Sequence, residues 1–400
     1  MIGVAGNKRQ DIEDRDLQGF KYFEKIRQLL KRLHPVGCER DRAHNRRLHM
    51  DEYTLLLLLY LFNPICVSLR SLQQASTLKK VQRVLGVSPS SLTSLSEAAW
   101  VFDSRWLLGV IQDLGKELQP LPHPASLDDL GGAIVTLVDG TVLKALPKVV
   151  GALGLYEPGS SFKAHVEFEL LRGVPSAATL TEAHADERKV LAMNLRPGRL
   201  YVEDRGYADY GLFQQIIDIG SHTVTRLKDN AVFKVVQERE LSAEAMKAGV
   251  VRDAVVRLGG EDSRGKLRQP VRIVQVACRP HRKPYKTGRG GPEQGDTILI
   301  VTDLLDVPPE VVGMLYEHRW QIEIFFRMFK HLLGCRHLLS HCQNGIELQV
   351  YTAIIACLLI TLFTGRKPTQ RTYEMLAWYL AGWADQDELE AHIAKLKKQD

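Results

Sequence analysis

The sequence predicts an α/β protein in which a mixed sheet flanked by helices is interrupted by a β-rich insertion and bordered by helical N- and C-terminal regions. Three observations point there. Residues 1 to about 130 carry apolar positions at helical spacing, and from Ala133 onward short β-branched runs alternate with helical stretches. Residues 229–296 then add further β-rich runs before the chain returns to the first pattern.

Taken in order, Met50 to Phe62 reads as a strongly apolar helix ended near Asn63-Pro64. Leu69 to Leu85, Leu92 to Phe102 and Trp106 to Leu118 continue the helical pattern, with Ser88-Pro89-Ser90 as a turn and cap signal. The Leu85-Gly86-Val87-Ser88-Pro89 turn fits a helix-turn-helix and a plain helical bundle equally well. Pro120 to Gly132, rich in Pro, Asp and Gly, is the best boundary. Strands are expected at Ala133 to Val138, Ala164 to Leu171, Ala177 to Glu182, Leu200 to Glu203 and His222 to Arg226, with helices at Asp186 to Ala192 and Tyr210 to Ile217. The insertion shows strand runs at Val232 to Val236, Val250 to Leu258 and Val271 to Cys278, and Thr297 to Val301 resumes the core. A helix over 308–334 and two or three more helices complete the chain. The expected domains are 1–130 (helical, a candidate DNA-binding region on the helix-turn-helix reading), 131–228 with 297–340 (mixed-sheet core), 229–296 (insertion) and 341–400 (helical).

The length of 400 residues predicts two or three domains, and 45% hydrophobic with 25% charged residues describes an ordinary globular composition. A formal net charge of +6 permits nucleic-acid binding without establishing it, so the distribution of charge matters more than the sum. Arg264 to Arg289 holds nine Lys or Arg and no Asp or Glu. Within it Arg264, Lys266, Arg282, Lys283 and Arg289 are candidate phosphate contacts. The six Cys form no secreted disulfide pattern, and no signal peptide is visible, so a cytoplasmic protein is expected. Cys335, His337, His341 and Cys342 cluster but fit no standard zinc spacing. Leu55 to Phe62 and Ile354 to Phe363 are apolar yet well short of a membrane span, and both read as buried helices.

The segment from Tyr316 to Lys330 carries the most chemistry. On one continuous helix at about 100° per residue, Tyr316, Arg319, Glu323 and Lys330 fall at roughly 0°, −60°, −20° and −40°. They would form one narrow polar stripe. Ile322, Phe326, Phe329 and Leu333 lie beside it and would dock the helix on a core. A carboxylate flanked by two cations and a phenol suits a residue that holds a metal while its neighbours hold phosphates. Upstream, one strand runs into Asp139-Gly140-Thr141 and another into Asp204-Arg205-Gly206-Tyr207. Three carboxylates from separate elements are what a hard cation needs.

The Tyr-x2-Arg-x3-Glu-x6-Lys spacing and the Asp-Arg-Gly-Tyr motif resemble those of bacterial insertion-sequence DDE transposases, the family-four type with the Tyr-Arg-Glu-Lys signature. The resemblance implies a ribonuclease-H-like core in which Asp139, Asp204 and Glu323 are the catalytic triad and ligands of two Mg²⁺ ions, with Mn²⁺ as a substitute. It assigns phosphate contacts to Tyr316, Arg319 and Lys330. It also implies double-stranded DNA with terminal inverted repeats and target DNA as partners, a dimer in the DNA complex, no membrane association and a nucleoid-associated bacterial setting. Two other functions stand beside it: a metal-dependent nuclease of the same fold that cleaves without strand transfer, and a DNA-binding regulator derived from a transposase, which would not need all three carboxylates and their flanking stripe. The sequence departs from some relatives at one point, since none of its Trp, at 100, 106, 320, 378 and 383, falls in the insertion to stack on a flipped base.

Overall fold

The computed structural model describes residues 21–36, 46–63, 65–120, 123–127, 130–144, 161–260, 267–278, 296–334, 338–340, 342–365, 369–380 and 383–396. Its contacts divide the chain into two compact units. One comprises Met1–Val110, Leu338–Leu359 and Arg371–Gln399, and the other Ile111–His337, Ile360–Gln370 and Asp400.

The chain begins with helices α1 (Lys21–Lys31), α2 (Leu33–Val36), α3 (Met50–Phe62), α4 (Leu69–Ser76), α5 (Lys79–Leu85), α6 (Leu92–Val101) and α7 (Trp106–Glu117). In α3 every residue but Asp51 and Leu59 is buried. Its one buried carboxylate is satisfied, because Glu52 accepts from the His49 amide at 3.1 Å and the Ser88 amide at 2.9 Å. The single helix expected over Leu69 to Leu85 is two, α4 and α5. Ser76 Oγ donates to Gln73 O at 2.6 Å and Thr77 Oγ1 to Gln74 O at 2.7 Å, so side chains take carbonyls that a continuing helix would use.

The second unit is built on strands β1 (Ile134–Lys144), β2 (Ser161–Glu169), β3 (Val174–Glu182), β4 (Arg199–Glu203), β5 (His222–Arg226), β6 (Phe233–Glu238), β7 (Val250–Leu258), β8 (Val271–Ala277) and β9 (Thr297–Thr302). Among the described residues they form one sheet in the order β3-β2-β1-β4-β5-β9-β8-β7-β6. Only β1 with β4 and β4 with β5 run parallel. The β-rich runs of 229–296 therefore extend the same sheet, joined through β9, which pairs antiparallel with β5 on one side and β8 on the other.

Helices α8 (Glu187–Asn194), α9 (Tyr210–Asp218) and α10 (Ala243–Lys247) lie between strands, and Val138, Leu191, Tyr201, Tyr207, Leu212 and Ile216 pack into one core cluster. After β9 come α11 (Pro309–His318), α12 (Trp320–Gly334), α13 (Gln343–Thr364), α14 (Gln370–Leu380) and α15 (Gln386–Leu396). The apolar run read as too short for a membrane belongs to a longer helix than expected. Gln343–Leu362 is long and apolar enough to cross a membrane by length and composition, yet 89% of its apolar window is buried inside the protein. Ahead of Ile354 the apolar run is interrupted by Gln349 and Thr352. Both are buried, and Thr352 turns its hydroxyl back onto Leu348 O at 2.6 Å.

Candidate active site

Asp139 and Asp204 meet because β1 and β4 run parallel. Their last paired residues are Val138 and Glu203, so the next residue on each strand is the aspartate, and both carboxylates stand at the carboxyl edge of the sheet. β1 does not end there, as the sequence suggested. Its pairing with β4 stops, but antiparallel pairing with β2 carries it from Asp139, opposite Val166, on to Lys144, opposite Ser161. β4 does end. Asp204 caps a short 3₁₀ turn over Arg205–Tyr207, its Oδ1 accepting from the Gly206 amide at 2.7 Å.

Asp139 Oδ1 accepts from the Gly140 amide at 2.7 Å. Burial pushes the Asp139 carboxyl up to about 6, with Asp204 and Glu187 adding to the push and the Gly140 amide and Arg319 opposing it. The Asp139 carboxylate is thus disfavoured chiefly by its burial, which the Gly140 amide and Arg319 offset only in part. Beside it, burial pushes Glu203 up to about 8 even though Thr223 and Thr225 donate hydroxyls to its Oε2. Burial thus favours the uncharged form of Glu203.

The helix expected over 308–334 is broken at Arg319, which correspondingly divides the expected stripe. Arg319 N donates to Tyr316 O and Ile322 N to Arg319 O, both at 3.1 Å, and this tighter i→i−3 spacing turns the chain from α11 into α12. Tyr316 sits on the first helix, Glu323 and Lys330 on the second. The break still assembles three of the four: the Arg319 guanidinium lies 6.0 Å from the Tyr316 ring centre, 2.5 Å from Glu323 Oε1 and 3.7 Å from Asp139 Oδ2. Burial works against the charge of Arg319, but Tyr316, Glu323 and Asp139 together outweigh it and hold its pKa above the usual value. Lys330 is exposed farther along α12 and does not join this cluster. Ile322, Phe325, Phe326 and Phe329 are buried beneath, with the Phe325 ring 5.4 Å from that of Phe168 on β2.

The donor chemistry fits a divalent cation, because Asp139, Asp204 and Glu323 offer only hard oxygens and two of them emerge from adjacent strands. Among the described residues, however, no three metal-binding groups lie close enough to hold an ion together. Glu323 faces Arg319 instead.

The sequence reading missed Lys163 and Glu187, and it named Tyr207 only as part of the Asp204 motif. Lys163 Nζ pairs with Glu187 Oε1 beside Asp139. Tyr207 is buried with no hydrogen-bond partner for its hydroxyl, and burial followed by the nearby Glu187, Asp139, Asp204 and Glu203 holds its pKa well above the usual value. The candidate contacts Arg264, Lys266, Arg282, Lys283 and Arg289, together with Cys335, His337 and His341 of the cysteine-histidine cluster, lie outside the described residues. Two other arginines of the same basic run are already engaged: Arg272 is buried against Asp253, and Arg268 pairs with Asp218.

A family model described as a transposase DDE domain matches residues 130–359, and the chain belongs to that family of bacterial insertion-sequence transposases. Its relatives include y4zB of Sinorhizobium fredii, named as a transposase, 29% identical over 58% of this chain and 61% of that one. A Geobacillus stearothermophilus protein named as a transposase for insertion sequence element IS5377 is 25% identical over 50% of this chain and 48% of that one. A Synechocystis protein named as a transposase for insertion sequence element IS4SA is 38% identical over 14% of this chain and 17% of that one. The matches thus span about three-fifths of the first of these relatives and about half of the second. A solved synaptic complex of piggyBac transposase with hairpin DNA aligns over 95% of this chain and 84% of that one, at 10% identity and a TM-score of 0.37, too low to argue from.

Proposed function

We propose that this protein is the transposase of an insertion sequence, cutting DNA at the element's ends and joining the freed 3′ ends to target DNA. The single observation that carries the reading is the side-by-side emergence of Asp139 and Asp204 from adjacent parallel strands, with Arg319 linking Asp139 to Glu323. A ribonuclease-H-like core is the finer fold reading. The order β3-β2-β1-β4-β5, antiparallel over its first three strands and parallel over the next two, supports it.

In this reading Asp139, Asp204 and Glu323 would hold two Mg²⁺ ions, which would supply activation of the attacking oxygen and stabilisation of the leaving one in an in-line displacement. The chain's own residues supply the rest. Tyr316 stacks under the Arg319 guanidinium and fixes its planar fork, which is suited to a phosphodiester. Lys330 supplies a further cation along the same strand. Water, then the freed 3′-hydroxyl, is the nucleophile, so no covalent enzyme intermediate is needed. DNA carrying terminal inverted repeats, target DNA and a second protomer in the complex are the partners.

Asp139→Asn, Asp204→Asn and Glu323→Gln test the triad, each removing a charged oxygen at nearly constant volume. Each should lower Mg²⁺-dependent cleavage of terminal-repeat DNA by roughly a thousandfold or more while gel-shift affinity persists. Near-wild-type cleavage by any one of them takes that residue out of the triad. Cleavage by wild type with no joined product would return the nuclease function instead.

A further inference from the structure

The two aspartate motifs both contain glycine, Asp139-Gly140 and Asp204-Arg205-Gly206, and both glycines face the same carboxylate. A Cβ on Gly140 would stand 2.5 Å from Glu187 Oε1 and 2.7 Å from Lys163 Cε. A Cβ on Gly206 would stand 3.8 Å from Glu187 Oε2 and 2.9 Å from Asp204 Oδ1. One oxygen of Glu187 is thus laid over the residue following Asp139, and the other is turned toward the turn that Asp204 caps. Neither glycine has a positive φ, so the left-handed region does not account for them. At Gly140 room for the Glu187 carboxylate does, and at Gly206 room for the Asp204 carboxylate does, with Glu187 in ordinary contact beyond it.

The rest of the geometry holds that carboxylate in place. Glu187 is the first residue of α8, where the helix dipole favours a negative group, and Asp186 caps the same turn by accepting from Arg188 N. Lys163 reaches it from β2, two residues from His165, which pairs with Gly140. Both side chains are largely covered, with 17% of Lys163 and 23% of Glu187 exposed. An ion pair this enclosed is geometrically defined in a way that surface pairs are not.

We propose that Glu187, clamped by Lys163, is a positioning residue of the cleavage centre: it ties the Asp139 strand to the Asp204 turn and keeps the two carboxylates in register for the metal. This rests on the transposase reading of the same site. Its role is mechanical, and that distinguishes it from a role in the local field. If the pair acted only through charge, removing the Lys163 cation would strengthen Mg²⁺ binding and removing Glu187 would weaken it. If the pair positions the aspartates, removing either weakens binding.

The experiment uses full-length protein, with Mg²⁺ affinity measured by calorimetry in the absence of DNA and the Mg²⁺ dependence of terminal-repeat cleavage measured in parallel. Glu187→Ala and Lys163→Met should each weaken Mg²⁺ binding roughly tenfold, as loss of a supporting partner does at other metal sites, and Lys163→Arg should restore most of it. Gly140→Ala should do the same by pushing the pair aside, because its methyl meets only flexible side-chain ends. The double variant Gly140→Ala/Glu187→Ala should be no worse than Gly140→Ala alone. Tighter Mg²⁺ binding by Lys163→Met, unchanged binding by Gly140→Ala, or full additivity in the double variant overturns the proposal. If Glu187→Ala fails to fold by thermal melting, the Gly140→Ala and Lys163→Arg results decide. A wild-type protein with neither Mg²⁺ binding nor Mg²⁺-dependent cleavage would overturn the transposase reading itself, whereas active wild type with indifferent variants overturns this inference alone.

Discussion

The sheet treats charge in opposite ways at the Arg272–Asp253 pair and at the edge that carries Asp139 and Asp204. In the outer half, Arg272 on β8 lies buried against Asp253 on β7, with Nε to Oδ1 and Nη2 to Oδ2 both at 2.7 Å, while its Nη1 donates to Leu304 O and Leu305 O at 3.2 Å. Donors and acceptors there are matched almost one for one. At the carboxyl edge of β1 and β4, two aspartates stand side by side, the nearest guanidinium reaches Asp139 only at 3.7 Å, and Tyr207 and Glu203 each leave a buried polar atom without a partner. The first arrangement is closed and stabilises the fold. The second is left open, as expected where an external cation and a phosphate are to complete it.

Breaking the closed pair should produce the largest loss of stability. Arg272→Met leaves Asp253 buried and unpaired and should cost about 3–5 kcal/mol in urea unfolding, whereas Arg272→Met/Asp253→Leu should recover most of it. A loss below about 1 kcal/mol for the single variant would mean that the outer strands tolerate unmatched charge, and the contrast would fail.

At the open site, substitutions should reduce chemistry with little loss of fold. Arg319→Ala should lower cleavage of specific ends by about a hundredfold with the melting temperature nearly unchanged, and Arg319→Lys should rescue only in part, since an ammonium lacks the planar fork. Lys330→Ala should act more weakly, and Tyr316→Phe separates the hydroxyl from the ring. Equal losses of Mg²⁺ affinity and cleavage across these variants would make Arg319 a support for Glu323 rather than a phosphate ligand.

The contrast also explains what the sequence could and could not reveal. The strands His222–Arg226 and Val250–Leu258 and the helix Met50–Phe62 were legible to the residue because local pattern and burial agree there. The approach of Asp139 to Asp204 was legible as two strand ends, since parallel strands bring such ends together. The break at Arg319 was not, because Tyr316 to Lys330 contains neither Gly nor Pro and its periodicity fits an unbroken helix. Glu187 and Lys163 were invisible for a different reason: they are recognised only by the space that Gly140 and Gly206 leave, and sequence spacing carries no such information. The single sheet was equally hidden, because strand runs in 229–296 do not specify which edge they join.

Asp139 gives a third test, in which function and stability move in opposite directions. Its folded pKa of about 6 lies above the ordinary 3.8, so the folded state disfavours the ionised form. The resulting cost is absent below about pH 4, grows between there and pH 6, and is fully present at neutral pH. Asp139→Asn should therefore abolish cleavage yet raise stability at pH 7 by on the order of 1 kcal/mol, an advantage that vanishes below about pH 4. A variant less stable than wild type at pH 7 would show that Asp139 is held as firmly as Asp253.

The smallest expected effect belongs to a half-closed case. His222 Nδ1 lies 2.6 Å from Asp303 Oδ2, and Asp303 Oδ1 also accepts the Thr223 amide at 2.9 Å. That hydrogen bond to Asp303 raises the His222 pKa above its usual 6.5, with burial opposing it. For a histidine raised on folding, the stabilisation is complete below the unfolded pKa and is lost as pH rises through the folded one. Asp303→Asn keeps an acceptor for the Thr223 amide but removes the charge, so wild type should be the more stable at pH 6 and the difference should narrow by pH 9. Because 41% of the His222 side chain is exposed, solvent screening should keep this difference under about 1 kcal/mol. Melting curves of both proteins across that range measure it. A gap that stays constant with pH would mean that Asp303 acts through the Thr223 amide alone, placing this pair beside Arg272 and Asp253 as fixed structure rather than between the two extremes.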